Sequence, residues 1–120
     1  MDFNELYWHD SEIRNIEIDR STPGKKDTIL FEIDWKDKGI GNLIFNDVYW
    51  ARLNLNFGIV AKECVDKAFV SEDDDIDLIN LYKRWDNLIK DVDLKGYIIK
   101  TLSTGSEIKI IAKRFSVIYK

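Results

Sequence analysis

The sequence predicts an α+β domain in which a strongly twisted antiparallel sheet of about seven strands packs on one amphipathic helix. Apolar residues alternate with polar ones along most of the chain, which is typical of strands with one buried face. One segment changes to helical spacing, and the connections are short, which favours antiparallel pairing. A partly open barrel with the helix over one mouth is the alternative. The length of 120 residues, 45% of them hydrophobic, predicts a single domain over residues 1–120.

The first five strands are predicted from alternation and turn signals. A turn at Pro23-Gly24 joins segments 11–20 and 28–35 into a hairpin. The apolar spacing slips by one between Ile13 and Ile16, which predicts a β-bulge near Arg14. After a second turn, three further strands are expected over residues 42–49, 52–57 and 60–70.

The only helix is predicted over residues 75–91. Leu78, Leu81, Trp85 and Leu88 recur there at three- and four-residue spacing, and acidic residues precede them, where the helix dipole favours negative charge. We expect these four side chains to be buried against the sheet. The opposite, polar face carries Asp77, Lys83, Arg84, Asp86, Asn87 and Lys90. Strands at 97–102 and 108–119, joined by a Ser-Thr-Gly-Ser turn, complete the order.

Several chemistries are excluded or disfavoured. The single cysteine, Cys64, excludes an internal disulfide and fits a reducing cytoplasm, and together with the single histidine, His9, it excludes a zinc site of the Cys/His type. Neither a nucleophile elbow nor a phosphate-binding glycine loop occurs. His9 is followed by Asp10, but neighbours on a strand point to opposite faces, so a structural role is favoured. We therefore predict no cofactor and no enzymatic activity, although the 15 aspartates could still form a carboxylate pair.

The charge is divided unevenly along the chain. The 18 basic and 22 acidic residues give a net charge of −4. Residues 94–120 contain six basic residues and one acidic residue, a charge of +5, so residues 1–93 carry −9. An acidic surface argues against nucleic-acid binding and suits a basic protein partner, although it also simply maintains solubility. No apolar run is long enough to cross a membrane, and the N-terminus lacks a secretory signal pattern.

Two groups of residues are candidates for partner binding. The acidic group is Asp73, Asp74 and Asp75. It lacks the glycine and glutamate positions of a calcium-binding loop, and a helix start explains it without a further role. The alternative interpretation is that these three residues form an acidic patch at which a protein partner docks.

The aromatic group supplies the other candidates. Neighbouring Tyr49 and Trp50 cannot both face the core of a regular strand, and an exposed aromatic side chain beside Arg52 would suit an interface hot spot. Core packing is the competing interpretation. We place Trp8 and His9 at the sheet margin, as further candidates for partner contact.

The opening Tyr7-Trp8-His9-Asp10-Ser11-Glu12-Ile13, the strand Ile16-Glu17-Ile18-Asp19 and the segment 45–50 carry a family resemblance. They resemble small bacterial proteins of mostly β structure, many of them uncharacterised and some grouped with the immunity proteins that neutralise polymorphic toxins. The resemblance implies a binding role without catalysis and a cytoplasmic location, where an incoming toxin would be met. A stand-alone domain that binds a small ligand between sheet and helix remains the alternative.

Overall fold

The computed structural model describes residues 2–86 and 88–120, and this part of the chain forms one antiparallel sheet of six strands with a single α-helix. The strands lie side by side in the order β1-β2-β3-β6-β5-β4. The elements, after a 3₁₀ turn at Phe3–Glu5, are β1 (Glu12–Asp19), β2 (Thr28–Trp35), β3 (Gly39–Asn54), β4 (Val65–Val70), α1 (Ile76–Arg84), β5 (Lys95–Thr101) and β6 (Glu107–Tyr119). The antiparallel α+β class is as the sequence predicts.

The hairpins follow the turn signals of the sequence. Gly24, after the only proline, has φ 82° and lies in the β1–β2 connection, and Gly105, with φ 66°, lies in the β5–β6 connection. Both connections need a residue that accepts positive φ, and glycine does so without strain. The predicted bulge is confirmed, because the register of β1 against β2 shifts between Ile13 and Asn15.

The prediction of seven strands is wrong, because segment 42–49 and the first three residues of segment 52–57 belong to one strand, β3. The register of β3 against β6 shifts between Val48 and Trp50, and Asp47 has φ 54°. Such a bulge bends a strand while its pairing resumes on the other side. Residues 55–64 then leave the sheet as a loop, except for an isolated bridge at Cys64.

The two long strands, β3 and β6, bend the sheet on itself. The first half of β3 pairs with β2, and its second half pairs with β6 alone, while β5 pairs with the first half of β6. The outer strands β1 and β4 consequently approach each other. They meet at a single bridge between Glu12 and Cys64, so the sheet curls without closing.

The concave face of the sheet holds the main core, which the N-terminal segment completes. Alternate residues of β2 and β6 point inward, and Phe3 and Trp8 pack among them on the concave side of the curled sheet. The Phe3 ring lies 4.8 Å from the Trp8 ring and 4.9 Å from the Tyr97 ring, measured between centroids. Trp8 in turn packs 5.0 Å from Trp35. The N-terminal segment thus fills the concave side of the sheet, and the helix takes no part in this core.

Helix α1 is shorter than predicted, and the expected burial of its apolar residues is wrong in part. Asp75 caps the helix, which ends at Arg84, and Asp86 has φ 48°, a left-handed conformation that stops a helix. Leu81 is buried, but Trp85 is 41% exposed and Leu88 is 82% exposed. The helix ends before these two residues, so neither is buried against the sheet. Asn87, which the sequence places on the polar helix face, lies outside the described residues.

Candidate functional site

A buried ion pair fastens α1 to the convex face of the sheet. The alternation of β6 sends Ile108 and Ile110 into the main core, so Lys109 points to the other side. Its Nζ lies 2.5 Å from Oδ1 of Asp75 and 2.8 Å from Oδ2 of Asp77. The side chains of Lys109 and Asp75 are 8% and 2% exposed. The start of α1 is therefore held in place by charge as well as by packing.

The pKa values of this pair shift in the direction of a stable ion pair. Burial alone would raise the pKa of Asp75, but the hydrogen bond from Lys109, the neighbouring Ser71 hydroxyl and the Lys109 charge hold it below 3.8. Burial would likewise lower the pKa of Lys109, and the hydrogen bonds to Asp75 and Asp77 outweigh it and raise that pKa above 10.5. Both groups remain charged across the physiological range.

Asp75 also serves as the helix cap, which explains why an aspartate stands here. Its Oδ1 accepts hydrogen bonds from the backbone N–H groups of Asp77, at 3.0 Å, and Leu78, at 3.4 Å. Its Oδ2 lies against Gly96 of β5. A Cβ on that glycine would stand 2.7 Å from Oδ2 and still closer to the Ser71 hydroxyl, so no larger residue fits without rearrangement.

The aromatic segment of β3 and helix α1 contact each other on this face. Arg52 Nη1 lies 3.5 Å from Oδ2 of Asp77, and the Arg52 guanidinium stacks over the Trp50 ring at 5.4 Å from its centroid. At the other end of the helix, the ring of Tyr49 lies 5.8 Å from that of Trp85 in an edge-to-face arrangement. Helix α1 therefore runs back along β3 and joins the aromatic residues of the strand to the acidic residues that precede the helix.

The bulge in β3 explains how neighbouring aromatic residues share one side. Sequence reasoning held that Tyr49 and Trp50 cannot both face the same way in a regular strand. The register shift between Val48 and Trp50 resets the alternation, and both rings pack against the small cluster of Leu81, Ile89, Leu94 and Ile111 under the helix. Both rings remain partly exposed.

We call the surface formed in this way the α1 face. It combines exposed apolar side chains, partly exposed aromatic rings and exposed carboxylates, with one arginine in a stacked position. Its members are Tyr49, Trp50, Arg52, Asp73, Asp74, Ile76, Trp85 and Leu88. Ile76 is 61% exposed, which is unusual for a large apolar residue at a helix start.

Three of the sequence-derived candidates lie elsewhere or inside the protein. Asp75 is buried in the ion pair, so the acidic group presents only Asp73 and Asp74 to solvent. Trp8 is 4% exposed and its Nε1 donates a hydrogen bond to the Phe3 carbonyl at 2.7 Å, so it belongs to the core rather than the margin. His9 is exposed next to β4, where its Nδ1 lies 3.2 Å from the Asp66 carbonyl oxygen.

The pair of His9 and Asp10 also differs from the expectation. The two residues occupy a turn in which Asp10 has φ 66°, so strand alternation does not separate them. His9 Nε2 lies 3.7 Å from Asp10 Oδ1, and both side chains are exposed.

Sequence reasoning missed the exposure of Trp85 and Leu88 and the burial of Lys109. A signal existed for each. Asp86 follows Trp85 directly, and aspartate is one of the few residues that readily adopt the left-handed conformation that ends a helix. Lys109 is a lone charge within a run of isoleucines, which suits a buried charge with a partner rather than a solvated one.

The alternative prediction, a domain that binds a small ligand, requires a pocket between the sheet and the helix. Two clefts of about 400 and 430 Å³ lie elsewhere, between β1 and the second half of β3 with its following loop, and no residue of α1 lines either. Within residues 2–86 and 88–120, no group of three or more His, Cys, Asp or Glu side chains is arranged to hold a metal ion. In the same residues no helix has the length and apolar character needed to cross a membrane.

No protein-family model, no curated protein and no solved structure matches this chain.

Proposed function

We propose that this chain is a non-catalytic binding protein that docks a basic protein partner through the α1 face. In the form that the sequence resemblance implies, it is a cytoplasmic immunity protein of bacterial type and its partner is a toxin domain that it occludes. The observation that carries the proposal is that α1 holds Trp85 against Tyr49 at one end and Asp77 against the Arg52 that stacks on Trp50 at the other, where the exposed Asp73 and Asp74 precede the helix.

The composition of the α1 face supports binding to a protein. Interface hot spots are enriched in Trp, Tyr and Arg, and they work best where neighbouring contacts exclude water. Here Trp85 and Leu88 protrude from the end of the helix, while Arg52 is already oriented by Trp50 and Asp77. Side chains held in place before binding lose less conformational freedom when a partner arrives.

The charge of the surrounding chain supports a basic partner. Residues 1–93 carry −9, and the exposed Asp73 and Asp74 extend this charge to the rim of the apolar patch. Charges at a rim act mainly on the rate of encounter, whereas buried anchors act on the lifetime of the complex. The α1 face thus offers separate residues for the two steps.

The test uses the protein encoded by the gene adjacent to this one, purified and immobilised for binding kinetics. The double variant Trp85→Ala/Leu88→Ala should weaken binding about 30-fold, mostly in the dissociation rate, since truncation of a hot spot removes about 2 kcal/mol. The double variant Asp73→Asn/Asp74→Asn should slow association at low salt and have little effect at 1 M salt, where the Debye length is about 3 Å.

Ile118→Ala is the matched control, because Ile118 is exposed on β6 away from the α1 face. Its binding should equal that of the wild type. The proposal fails if the neighbouring gene product does not bind, or if both double variants bind as the control does. Survival of cells that express the neighbouring protein, with and without this chain, then separates toxin neutralisation from binding alone.

A further inference from the structure

The two clefts lie end to end along the same two parts of the fold. The cleft of about 400 Å³ has Ile13 and Ile16 of β1 on one side, Leu55 and Phe57 on the other, and the buried Ile108 at its base. The cleft of about 430 Å³ continues with the end of β1 on one side and residues 48–53 of β3 on the other. We call the two together the β1–β3 cleft.

Unpaired backbone edges border this cleft on both sides. Pairing of β3 with β2 ends at Phe45, and the next contact is a hydrogen bond from the Val48 N–H to the Asp27 carbonyl, at 2.9 Å. Among the described residues, segment 49–54 pairs only with β6, which leaves its other edge free. The outer edge of β1 has a partner at Ile13, whose N–H donates to the Glu63 carbonyl, and no backbone partner in the described chain over residues 14–19.

Three hydroxyl side chains of the cleft already have partners inside the protein. Ser106 Oγ accepts a hydrogen bond from the Asn56 N–H at 2.9 Å, and Thr101 Oγ1 accepts one from the Ser106 N–H at 2.9 Å. Thr104 donates its hydroxyl proton to Glu63 at 2.5 Å. These groups therefore stabilise the loop, and the strand edges are a main source of the hydrogen-bonding capacity that remains in the cleft.

The charge of the cleft fits an uncharged occupant. The charged side chains of its lining are two cationic and three anionic, namely Arg14, Arg20, Asp19, Asp27 and Glu63. Two of these charges are balanced by neighbours, with Arg14 3.9 Å from Glu32 and Asp19 3.1 Å from Lys26. The lining therefore carries a net charge of only −1, which gives little preference for a charged occupant of either sign.

Exposed apolar side chains flank the same cleft. Phe57, Ile59 and Val60 protrude from the loop after β3, and Ile18 is exposed at the end of β1. Isolated apolar side chains are common on protein surfaces, but a contiguous group next to free strand edges is a recognised aggregation hazard that proteins normally cover. A strand laid in the cleft would cover this group and pair with the edges at once.

We infer that the β1–β3 cleft binds an extended segment of a protein partner, uncharged and apolar at alternate positions, which pairs with the free edge of β3 or β1 as an added strand. Backbone hydrogen bonds supply the pairing, and alternate side chains meet Ile16, Leu53 and Leu55. The cleft shares Tyr49 and Trp50 with the α1 face, but none of its other lining residues belongs to that face, and the experiment below substitutes no residue of the α1 face.

The experiment measures amide hydrogen exchange by NMR with a defined peptide pool. The probe is a set of acetylated ten-residue peptides in which Thr alternates with Val, Ile, Leu or Phe. Protection of amides within segments 49–54 or 14–19 should rise at least tenfold at saturating peptide. A second pool, identical except for N-methylation of the alternate apolar residues, should give no such protection, because it keeps the side chains and loses the donors.

Two variants test whether the amide protection arises from binding in the cleft. Leu55→Glu places a charge on the wall of the cleft and should abolish the protection, whereas Ile118→Glu, at an exposed residue of β6, should leave it unchanged. Unfolding of each variant in urea checks that both are folded.

The inference is overturned if neither pool protects the edges, if the two pools protect them equally, or if Leu55→Glu behaves as Ile118→Glu does. It is also overturned if the protein alone sediments as a dimer whose edge amides are protected without peptide, since a second copy would then occupy the cleft.

Discussion

Asp75→Asn tests the attachment of α1 to the sheet. Asparagine caps helices as well as aspartate does, so the substitution keeps an acceptor for the N–H groups of the first turn and removes the charge. Lys109, with 8% of its side chain exposed, then retains Asp77 alone as its counter-charge. The change also removes the acceptor that lies against Ser71 and Gly96.

The expected loss of stability is about 3 kcal/mol. Removal of one partner of a buried ion pair destabilises proteins by about 3–5 kcal/mol, because the remaining charge stays out of water without compensation. The lower end applies here because Asp77 stays 2.8 Å from Lys109 and is itself partly exposed. Asp73→Asn is the matched control, since Asp73 is exposed and should change stability by no more than about 0.5 kcal/mol.

The assay is urea unfolding at pH 7, followed by tryptophan fluorescence. With a slope of about 1.5 kcal/mol per molar urea, the midpoint of Asp75→Asn should fall by about 2 M while the slope stays constant. A fall equivalent to less than about 1 kcal/mol would refute the reasoning, because the pair would then be solvated. The double variant Asp75→Asn/Lys109→Met should lose less stability than the two single variants lose in sum. The difference, which is the coupling free energy, should be about 0.5–3 kcal/mol.

The pH dependence provides an independent check with a defined sign. Because the pKa of folded Asp75 lies below 3.8, its contribution is complete above that value and is lost as the pH falls through the folded pKa. Because the pKa of folded Lys109 lies above 10.5, its contribution is complete below that value and is lost as the pH rises through the folded pKa. The difference in unfolding free energy between wild type and the double variant should therefore be constant between these limits and decrease outside them.

Four further substitutions test other parts of the structure by the same unfolding assay. Trp8→Ala should cost about 3–5 kcal/mol, because the ring is buried among aromatic residues, and a cost below about 1 kcal/mol would contradict its place in the core. Trp85→Ala should cost only about 1 kcal/mol, since the ring is 41% exposed, and a loss above about 3 kcal/mol would show that α1 continues over the sheet. Gly96→Ala should cost about 1–3 kcal/mol through overlap with the Asp75 carboxylate, and unchanged stability would contradict this close contact. His9→Gln should leave stability within about 0.5 kcal/mol and leave binding to the neighbouring gene product unchanged, and lost binding with the fold retained would place His9 in the interface.

The candidate site was predictable as separate pieces and not as an assembly. Sequence patterns singled out the aromatic segment of β3 and the acidic residues before α1, and both lie on the α1 face. The patterns treated Asp73, Asp74 and Asp75 as equivalent. Only the packing of α1 on β6 distinguishes them, because it brings Lys109 to Asp75 and leaves the other two in solvent. Lys109 and Asp75 are 34 residues apart in the sequence, so the local spacing of residue types does not predict their contact.

The sequence by itself determined the local features whose causes are local. Alternation places a residue on one side of a strand, a proline-glycine pair makes a turn, and a one-residue slip makes a bulge, so the class of fold, the hairpins and the bulge of β1 follow from neighbours in the chain. The end of α1 belongs here as well, since Asp86 carries the signal.

Only the tertiary structure decided which surface each pattern faces. The bulge in β3 merged two predicted strands and turned Tyr49 and Trp50 to the same side. The N-terminal segment, and not the helix, filled the concave side of the sheet, which sent α1 to the convex side and exposed Trp85. Both results arise because apolar segments far apart in the chain compete for one interior. The outcome depends on the side-chain volumes and on how the whole sheet bends, and the local spacing of apolar residues predicts neither.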